Sequence, residues 1–187
     1  MPSFFLALLG AALASFAGRD QRLVAQLSAK LGASGVLLAV AWISAIATTS
    51  LAAVAGVAVA TILPPAAKTM LAAIALVLGG LELAWPWKVR EPAEPTRSML
   101  AILIVLASQQ IGDGVRFLVL AVAVATGNPL LAAVGGALGS GAVLTVGWAT
   151  GRELERALPL RTLRLCAAGL LVVTGIIIGL SARGLIQ

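Results

Sequence analysis

One short polar stretch interrupts an otherwise apolar segment in the second half of the chain. Within residues 99–126, Asp113 is the sole carboxylate and Arg116 the sole cation. A segment of that length and apolarity can cross a bilayer, where ionisable groups are costly unless they line a cavity or have a partner. The sequence therefore indicates a polar site inside a membrane protein, centred on Asp113. The alternative is an Asp113 to Arg116 pair at i,i+3 helical spacing that only satisfies itself.

The composition places the chain among membrane proteins. Of its 187 residues, 60% are hydrophobic and 11% are charged, whereas soluble domains carry about 25% charged residues. The chain has no His and a single Cys, Cys166, which lies in an apolar run. These facts exclude His acid/base chemistry, zinc-type ligation and a disulfide framework. Any metal site must therefore use oxygen ligands, which suit hard cations such as Ca²⁺, Mg²⁺ and Mn²⁺.

Six apolar segments predict an all-α membrane protein with six transmembrane helices. We place these helices at residues 2–31, 34–63, 67–85, 98–126, 129–150 and 163–182. The most polar stretch, residues 88–97, is the predicted cytoplasmic linker between two halves, residues 1–87 and 98–187. The first helix carries a polar break at Arg19 and Asp20. That break is either a kink within the membrane, which we favour, or an early exit to the interface with snorkelling arginines.

The basic residues indicate topology and not nucleic-acid binding. The net charge is +6, but these residues lie in short connections and form no stripe with aromatic neighbours. The basic residues on or near one predicted side are Lys30, Lys88, Arg90, Arg97, Arg152, Arg156, Arg161 and Arg164, against Lys68 and Arg183 on the other. The positive-inside rule puts the larger group in the cytoplasm. We therefore expect a multi-pass protein of a bacterial inner membrane, surrounded by lipid, with both termini extracytoplasmic.

The sequence also repeats itself at a spacing of 95 residues. Shifting the chain by that number aligns Gly32 with Gly127 and Pro64 with Pro159, with further matches inside apolar stretches. Three spans in each copy make the second copy enter the membrane from the opposite side, which is the inverted-repeat architecture of secondary transporters. In this register residues 15–18 lie opposite residues 110–113. The two polar breaks would then face one another and form a substrate site.

Three stretches of the chain resemble a known family. They are QIGDGVRF at residues 110–117, the following TGNP, and the closing LPLRTLRLCAAGLLVVTG. Together with the two-repeat layout they resemble the Gdt-type, or transmembrane protein 165, family of cation transporters. Members carry Glu-x-Gly-Asp-(Lys/Arg)-(Ser/Thr) once in each repeat. The resemblance implies movement of Mn²⁺ and Ca²⁺ in exchange for protons, with the acidic motif residues as ligands.

The match to this motif is incomplete. In the second half Gly112 and Asp113 match the Gly-Asp pair, while Gln110 stands at the Glu position. The corresponding residues of the first half are Ser15, Ala17, Gly18, Arg19, Asp20 and Gln21. Among them only Arg19, at the basic position, and Gln21, which often follows the motif, fit the family pattern. Of the four carboxylates that two motifs would supply, Asp113 alone is in place.

The resemblance nevertheless implies a set of metal ligands. Asp113 would be the main ligand and a proton carrier, assisted by oxygens of Gln110, Asp20 and Gln21. The residues expected to line the same site are Gly112, Gln109, Ser15, Gly18, Arg19 and Arg116. A divalent cation that leaves water needs compensating negative charge, so we expect weak or altered cation binding. An ion pair between Arg19 and Asp113 could neutralise the site altogether. No cofactor is expected besides the transported Mn²⁺ or Ca²⁺.

Two further functional classes deserve comparison with transport. A degenerate homologue could keep the fold and act as a partner of another membrane protein, or carry a different solute. An enzyme is disfavoured, because the sequence has no His, no Tyr and no suitably paired Ser or Cys. Glu82, near the end of the third helix, could reach the site, but its neighbours Trp85 and Trp87 favour an interfacial position. A homo-oligomer is compatible with the sequence.

Overall fold

The computed structural model describes residues 1–86, 98–151, 153 and 159–183. Within these residues the secondary structure is helical, without β-strands, as the sequence predicts. The eight helices of the described part are α1 (Pro2–Ser15), α2 (Arg19–Leu31), α3 (Gly35–Ala60), α4 (Pro65–Ala84), α5 (Met99–Ile111), α6 (Gly114–Thr126), α7 (Pro129–Thr150) and α8 (Leu160–Ala182). The predicted linker 88–97 and the anchor Trp87 lie outside the described residues.

Four of these helices are long and apolar enough to cross a membrane, namely α3, α4, α7 and α8. The remaining four form two bent pairs. The axis turns by 62° between α1 and α2 and by 59° between α5 and α6. Counting each bent pair as one broken span gives six spans, so the described residues contain four to six. The helices predicted at residues 2–31 and 98–126 are thus each divided at their polar residues.

Both breaks follow from the local sequence. Ala17, which occupies the motif's Gly position, has φ +56°, a left-handed conformation that is unfavourable for a residue with a Cβ atom. Its N–H donates a 2.7 Å hydrogen bond to Gln21 Oε1, which holds the first break. At the second break Asp113 is the N-cap of α6, and its Oδ1 accepts from Val115 N at 3.5 Å. A short polar side chain at this position satisfies an amide that the helix leaves without a partner.

Two pairs of helix starts keep the 95-residue spacing of the sequence. Arg19 and Gly114, the first residues of α2 and α6, are 95 positions apart, as are Pro65 and Leu160, which begin α4 and α8. The long helices that the predicted repeat would relate to each other also pack in opposite directions. In the α3 and α7 pair, Trp42 Nε1 donates to Thr145 Oγ1 at 3.0 Å, while Trp148 Nε1 donates to the carbonyl oxygen of Ser34 at 2.9 Å.

The same antiparallel order holds for α4 and α8. Gly80, near the end of α4, packs against Ala168, near the start of α8, whereas Gly175 packs against Ala73. Small residues allow this close backbone approach between apolar helices, where no hydrophobic effect drives association in lipid. Gly80 and Gly175 therefore lie at the contact between α4 and α8.

Gly139 of α7 tests the importance of this packing. A Cβ atom at Gly139 would collide with the carbonyl oxygen of Leu8 and lie 3.0 Å from the backbone nitrogen of Ala12. We expect Gly139→Ala to lower the free energy of unfolding by about 1–3 kcal/mol, because backbone atoms of α1 cannot move aside cheaply. The apparent melting temperature of the purified protein in detergent measures this loss.

The matched control is Gly169→Ala in α8, where a Cβ atom would have no neighbour within 4 Å. This variant should melt at the same temperature or higher, since Ala favours a helix over Gly by about 1 kcal/mol. Equal melting temperatures for the two variants would contradict the close contact between α1 and α7.

Candidate cation site

A small cavity of about 30 Å³ lies where the two helix breaks meet the end of α4. Its charged lining residues are Arg19, Asp20, Arg22, Glu82, Asp113 and Arg164. Gly18 and Gln109 also line it. A cavity of that size has room for a water molecule. The cavity therefore brings three carboxylates and three guanidinium groups to one place, contributed by both halves of the chain.

Asp113 lies at this cavity as the sequence predicts. Its Oδ2 is 3.6 Å from Arg116 Nη1, and its side chain is 20% exposed. Asp20 and Glu82 are close enough to act on its charge, as is Arg116. The i,i+3 pair considered from the sequence thus exists, but it does not enclose the carboxylate, which also faces the cavity.

Arg116 is buried on the other side of Asp113. Its side chain is 3% exposed, and Nε donates a 2.9 Å hydrogen bond to Thr48 Oγ1. Neither terminal nitrogen of this guanidinium has a hydrogen-bond partner among the described residues. Gln110 joins the same network, because its Oε1 accepts from Ser44 Oγ at 2.8 Å and lies 3.1 Å from Thr48 Oγ1. This network connects the second break to the middle of α3.

Thr48 is the central hydroxyl of the network, and its removal should be costly. Thr48→Val keeps the shape of the side chain but leaves Arg116 Nε and one lone pair of Gln110 without a partner. We expect the free energy of unfolding to fall by about 1–3 kcal/mol, the penalty for a buried polar group that loses its hydrogen bond. The melting temperature in detergent reports this loss.

Thr174→Val is the matched control for Thr48→Val. The Thr174 hydroxyl is exposed and bonds only to the carbonyl oxygen of Leu170 in its own helix. Its loss should change the melting temperature little. A small effect at both positions would show that the network around Arg116 does not stabilise the fold.

Asp20 and Gln21 occupy different positions at the first break. Asp20 is 4% exposed and lines the cavity, and its Oδ1 accepts from Gln21 N at 2.9 Å. Its Oδ2 is buried and has no hydrogen-bond partner among the described residues. Gln21 is fully buried, and besides its bond to Ala17 its Nε2 donates to the carbonyl oxygen of Val143 at 3.1 Å. Gln21 thus holds the break, whereas Asp20 offers an oxygen to the cavity.

The other predicted site residues are divided between the cavity and its surroundings. Gly18, Arg19 and Gln109 line the cavity, as do Asp113 and Asp20. The residues that do not line it are Ser15, Gln21, Gln110, Gly112 and Arg116. Gly112 lines a second, more open cavity of about 330 Å³ on the other side of Asp113. Within the described part of the chain, no three acidic or Cys side chains converge closely enough to hold a metal ion.

Glu82 is the site residue that the sequence interpretation missed. Its Oε1 is 2.6 Å from Arg19 Nη2, and its Oε2 accepts from Gly114 N at 2.5 Å. The carboxylate thus lies at the N-terminus of α6, beside Asp113, where negative charge is favourable. The sequence contained a signal for this role, because Glu82 is the sole carboxylate of the apolar segment 65–84, and an ionisable residue within such a segment indicates a functional site. The neighbouring tryptophans directed the interpretation to the membrane interface instead.

Comparison with known proteins bears on the second half of the chain. Residues 98–184, which contain Asp113 and helices α5 to α8, match the family model for the divalent cation/proton antiporter GDT1. No curated protein and no solved structure matches the chain. This match confirms the family resemblance seen in the sequence, over residues 98–184 of the chain.

Proposed function

We propose that the protein exchanges Mn²⁺ or Ca²⁺ for protons across a membrane, through the cavity between its two broken helices. The family is one of divalent cation/proton antiporters, which are transporters and not enzymes. The observation that carries the proposal is the position of Asp113, which caps the second break and faces a cavity that Asp20 and Glu82 also line. Broken helices with ionisable groups at the break are where secondary transporters bind their substrates.

We further propose that residues 1–87 and 98–187 are inverted repeats joined by the linker 88–97. Two features support this arrangement. The first residues of α2 and α6, like those of α4 and α8, are 95 positions apart, and α3 with α7, like α4 with α8, run antiparallel. Membrane-spanning helices related by a pseudo-two-fold axis in the membrane plane must run in opposite directions. Alternating access would then arise from movement of one repeat against the other around the shared cavity.

In this site Asp113 is the main ligand and the proton carrier, and Asp20 is the second carboxylate. Gln109 can add an uncharged oxygen from the cavity wall. Gln21 and Gln110 support the two breaks through hydrogen bonds of their side chains. Their side-chain oxygens could bind an ion only after these hydrogen bonds break. We therefore assign them a supporting role in the conformation described here and a ligand role in a conformation in which the two breaks have opened.

A second candidate function rests on the charges around the cavity. Arg19, Arg22 and Arg164 balance the three carboxylates, and Arg19 binds Glu82 directly. A divalent cation would need carboxylates that are not already neutralised. This balance favours a homologue that keeps the fold but has lost divalent transport, and serves as a partner of another membrane protein or carries a different solute.

Flux in proteoliposomes separates the two functions. We expect an imposed proton gradient to drive uptake of Mn²⁺ or Ca²⁺, recorded with a fluorescent indicator, and Mg²⁺ to be the poorest of the three because it dehydrates reluctantly. Absence of uptake for all three ions favours the second function. In that case Gln110→Glu with Ser15→Glu should restore uptake. Gly18→Asp is less suitable for restoration, since a Cβ atom there would lie 2.8 Å from the carbonyl oxygen of Ser15.

The multi-pass character follows from the family and the apolar helices. We propose a bacterial inner membrane as the location, with both termini extracytoplasmic. Arg161 and Arg164 at the start of α8 support this orientation by the positive-inside rule, whereas Arg183 stands alone at its other end among the described residues. Alkaline phosphatase fused after residue 183 should be active, because it folds only outside the cytoplasm. An inactive, stable fusion would reverse the orientation.

A further inference from the structure

Glu82 borders both cavities of the candidate site. Together with Asp113 and Gly114 it lines both the cavity of about 30 Å³ between the breaks and the open cavity of about 330 Å³ beside Phe117. An ion in either cavity would therefore lie near this carboxylate. The family motif contains no residue of α4, so Glu82 is an acidic group supplied from outside it.

Both oxygens of Glu82 have partners that an ion would have to replace or share. Arg19 Nη2 is 2.6 Å from Oε1, and the N–H of Gly114 donates to Oε2. The Arg19 side chain is 34% exposed and that of Glu82 is 24% exposed. The guanidinium is thus only partly enclosed by protein, which leaves it room to move when another cation takes its place.

Asp20, a second carboxylate in the same cavity, has one oxygen without a hydrogen-bond partner among the described residues. Asp20 Oδ2 is buried and has no hydrogen-bond partner among the described residues, although the side chain is 4% exposed and borders the cavity. A buried carboxylate oxygen without a donor is costly and calls for a cation or a water molecule. Asp20 Oδ2 is therefore able to bind a cation or a water molecule in the cavity besides Arg19.

We propose that Glu82 is a cation ligand and that Arg19 is its built-in competitor, which occupies Glu82 when no divalent cation is bound. This inference rests on the proposed transport function. On arrival the divalent cation displaces the guanidinium from Oε1 of Glu82, and Asp113 and Asp20 move towards it as further ligands, because the three carboxylates lie too far apart to bind one ion among the described residues of this structure. Glu82 thereby replaces one of the carboxylates that the motifs lack. Arg19 also keeps the empty site electrically neutral, so the carboxylates do not repel one another when the ion leaves.

Mn²⁺ binding to the purified full chain tests this proposal, with free Mn²⁺ measured by its electron paramagnetic resonance signal. We expect Arg19→Gln to lower the Kd for Mn²⁺ by about tenfold and Glu82→Gln to raise it by about tenfold, each a change of about 1.4 kcal/mol. Arg22→Gln removes the same charge from the same cavity and should lower the Kd less than Arg19→Gln. Arg183→Gln, outside the cavity, should leave it unchanged.

The outcomes separate this inference from the proposed function. If Arg19→Gln and Glu82→Gln leave the Kd unchanged while Asp113→Asn removes binding, the role of Glu82 and Arg19 is refuted and transport stands. If Arg19→Gln and Arg22→Gln act equally, Arg19 is not a specific competitor. If neither the unmodified protein nor any of the variants, including Arg19→Gln, binds Mn²⁺, the proposed function fails. Should Glu82→Gln not fold, Arg19→Gln alone decides, since it leaves the bond between Glu82 and Gly114 in place.

Discussion

Asp113→Asn is expected to reduce proton-driven Mn²⁺ uptake by about 100-fold or more, because ion affinity in oxygen-ligand sites follows the number of charged ligands. Asn keeps the size of the side chain and remains a good N-cap, so α6 should still begin at Gly114. The variant removes a negative charge from the cavity and removes the group proposed to carry the proton. Uptake into proteoliposomes, normalised to the amount of folded protein, measures the loss.

The control for Asp113→Asn is Glu153→Gln, which removes an exposed carboxylate that does not line the cavity. Its uptake should equal that of the unmodified protein. The interpretation of Asp113 and Arg116 as a self-satisfying pair makes the opposite prediction. In that case Asp113→Asn lowers the melting temperature, since Arg116 loses its partner, while uptake per folded molecule is unchanged. That pattern would remove Asp113 from the transport site.

Gly114→Val is expected to have the second large effect, because it separates α4 from α6 at the site. A Cβ atom at Gly114 would lie 2.8 Å from Gly79 Cα and 2.8 Å from Glu82 Oε2. Neither helix can yield locally, so Glu82 should lose its hydrogen bond to the Gly114 amide. We expect uptake to fall by more than about tenfold and the free energy of unfolding to fall by about 1–3 kcal/mol, as for overpacked cores.

Gly35→Val is the matched control for Gly114→Val. Gly35 is also the first residue of a helix, but a Cβ atom there would have no neighbour within 4 Å. Its melting temperature and uptake should remain close to those of the unmodified protein. If both valine variants behave alike, the close approach of α4 and α6 has no part in transport.

Hydropathy predicted the helical class of the fold and the positions of both breaks. An apolar segment long enough to span a membrane is a strong local signal, and a cluster such as Arg19 and Asp20 inside it marks where the helix must bend. The bend angles were not predictable, because they depend on the packing of each half-helix against α3 and α7. The family match over residues 98–184 confirms the resemblance.

The contacts of the site were harder to predict, for reasons that differ between residues. Glu82 reaches Arg19 and Gly114, which are 63 and 32 positions away, because Gly79 lets α4 approach α6 closely. No local pattern encodes that approach. Gln21 and Gln110 have the right chemistry for ligands, but their neighbours in space provide hydrogen-bond partners for their side-chain oxygens. The ligand role of each polar residue near a break thus depends on tertiary contacts.

The most direct measurement records Mn²⁺ uptake and proton movement together, with two indicators inside the same proteoliposomes. We expect Mn²⁺ to enter as protons leave, both movements to respond to an imposed pH gradient, and both to vanish in Asp113→Asn. Mn²⁺ entry no faster than in liposomes without protein, or entry that ignores the pH gradient, would contradict an antiporter whose ion passes between the two broken helices.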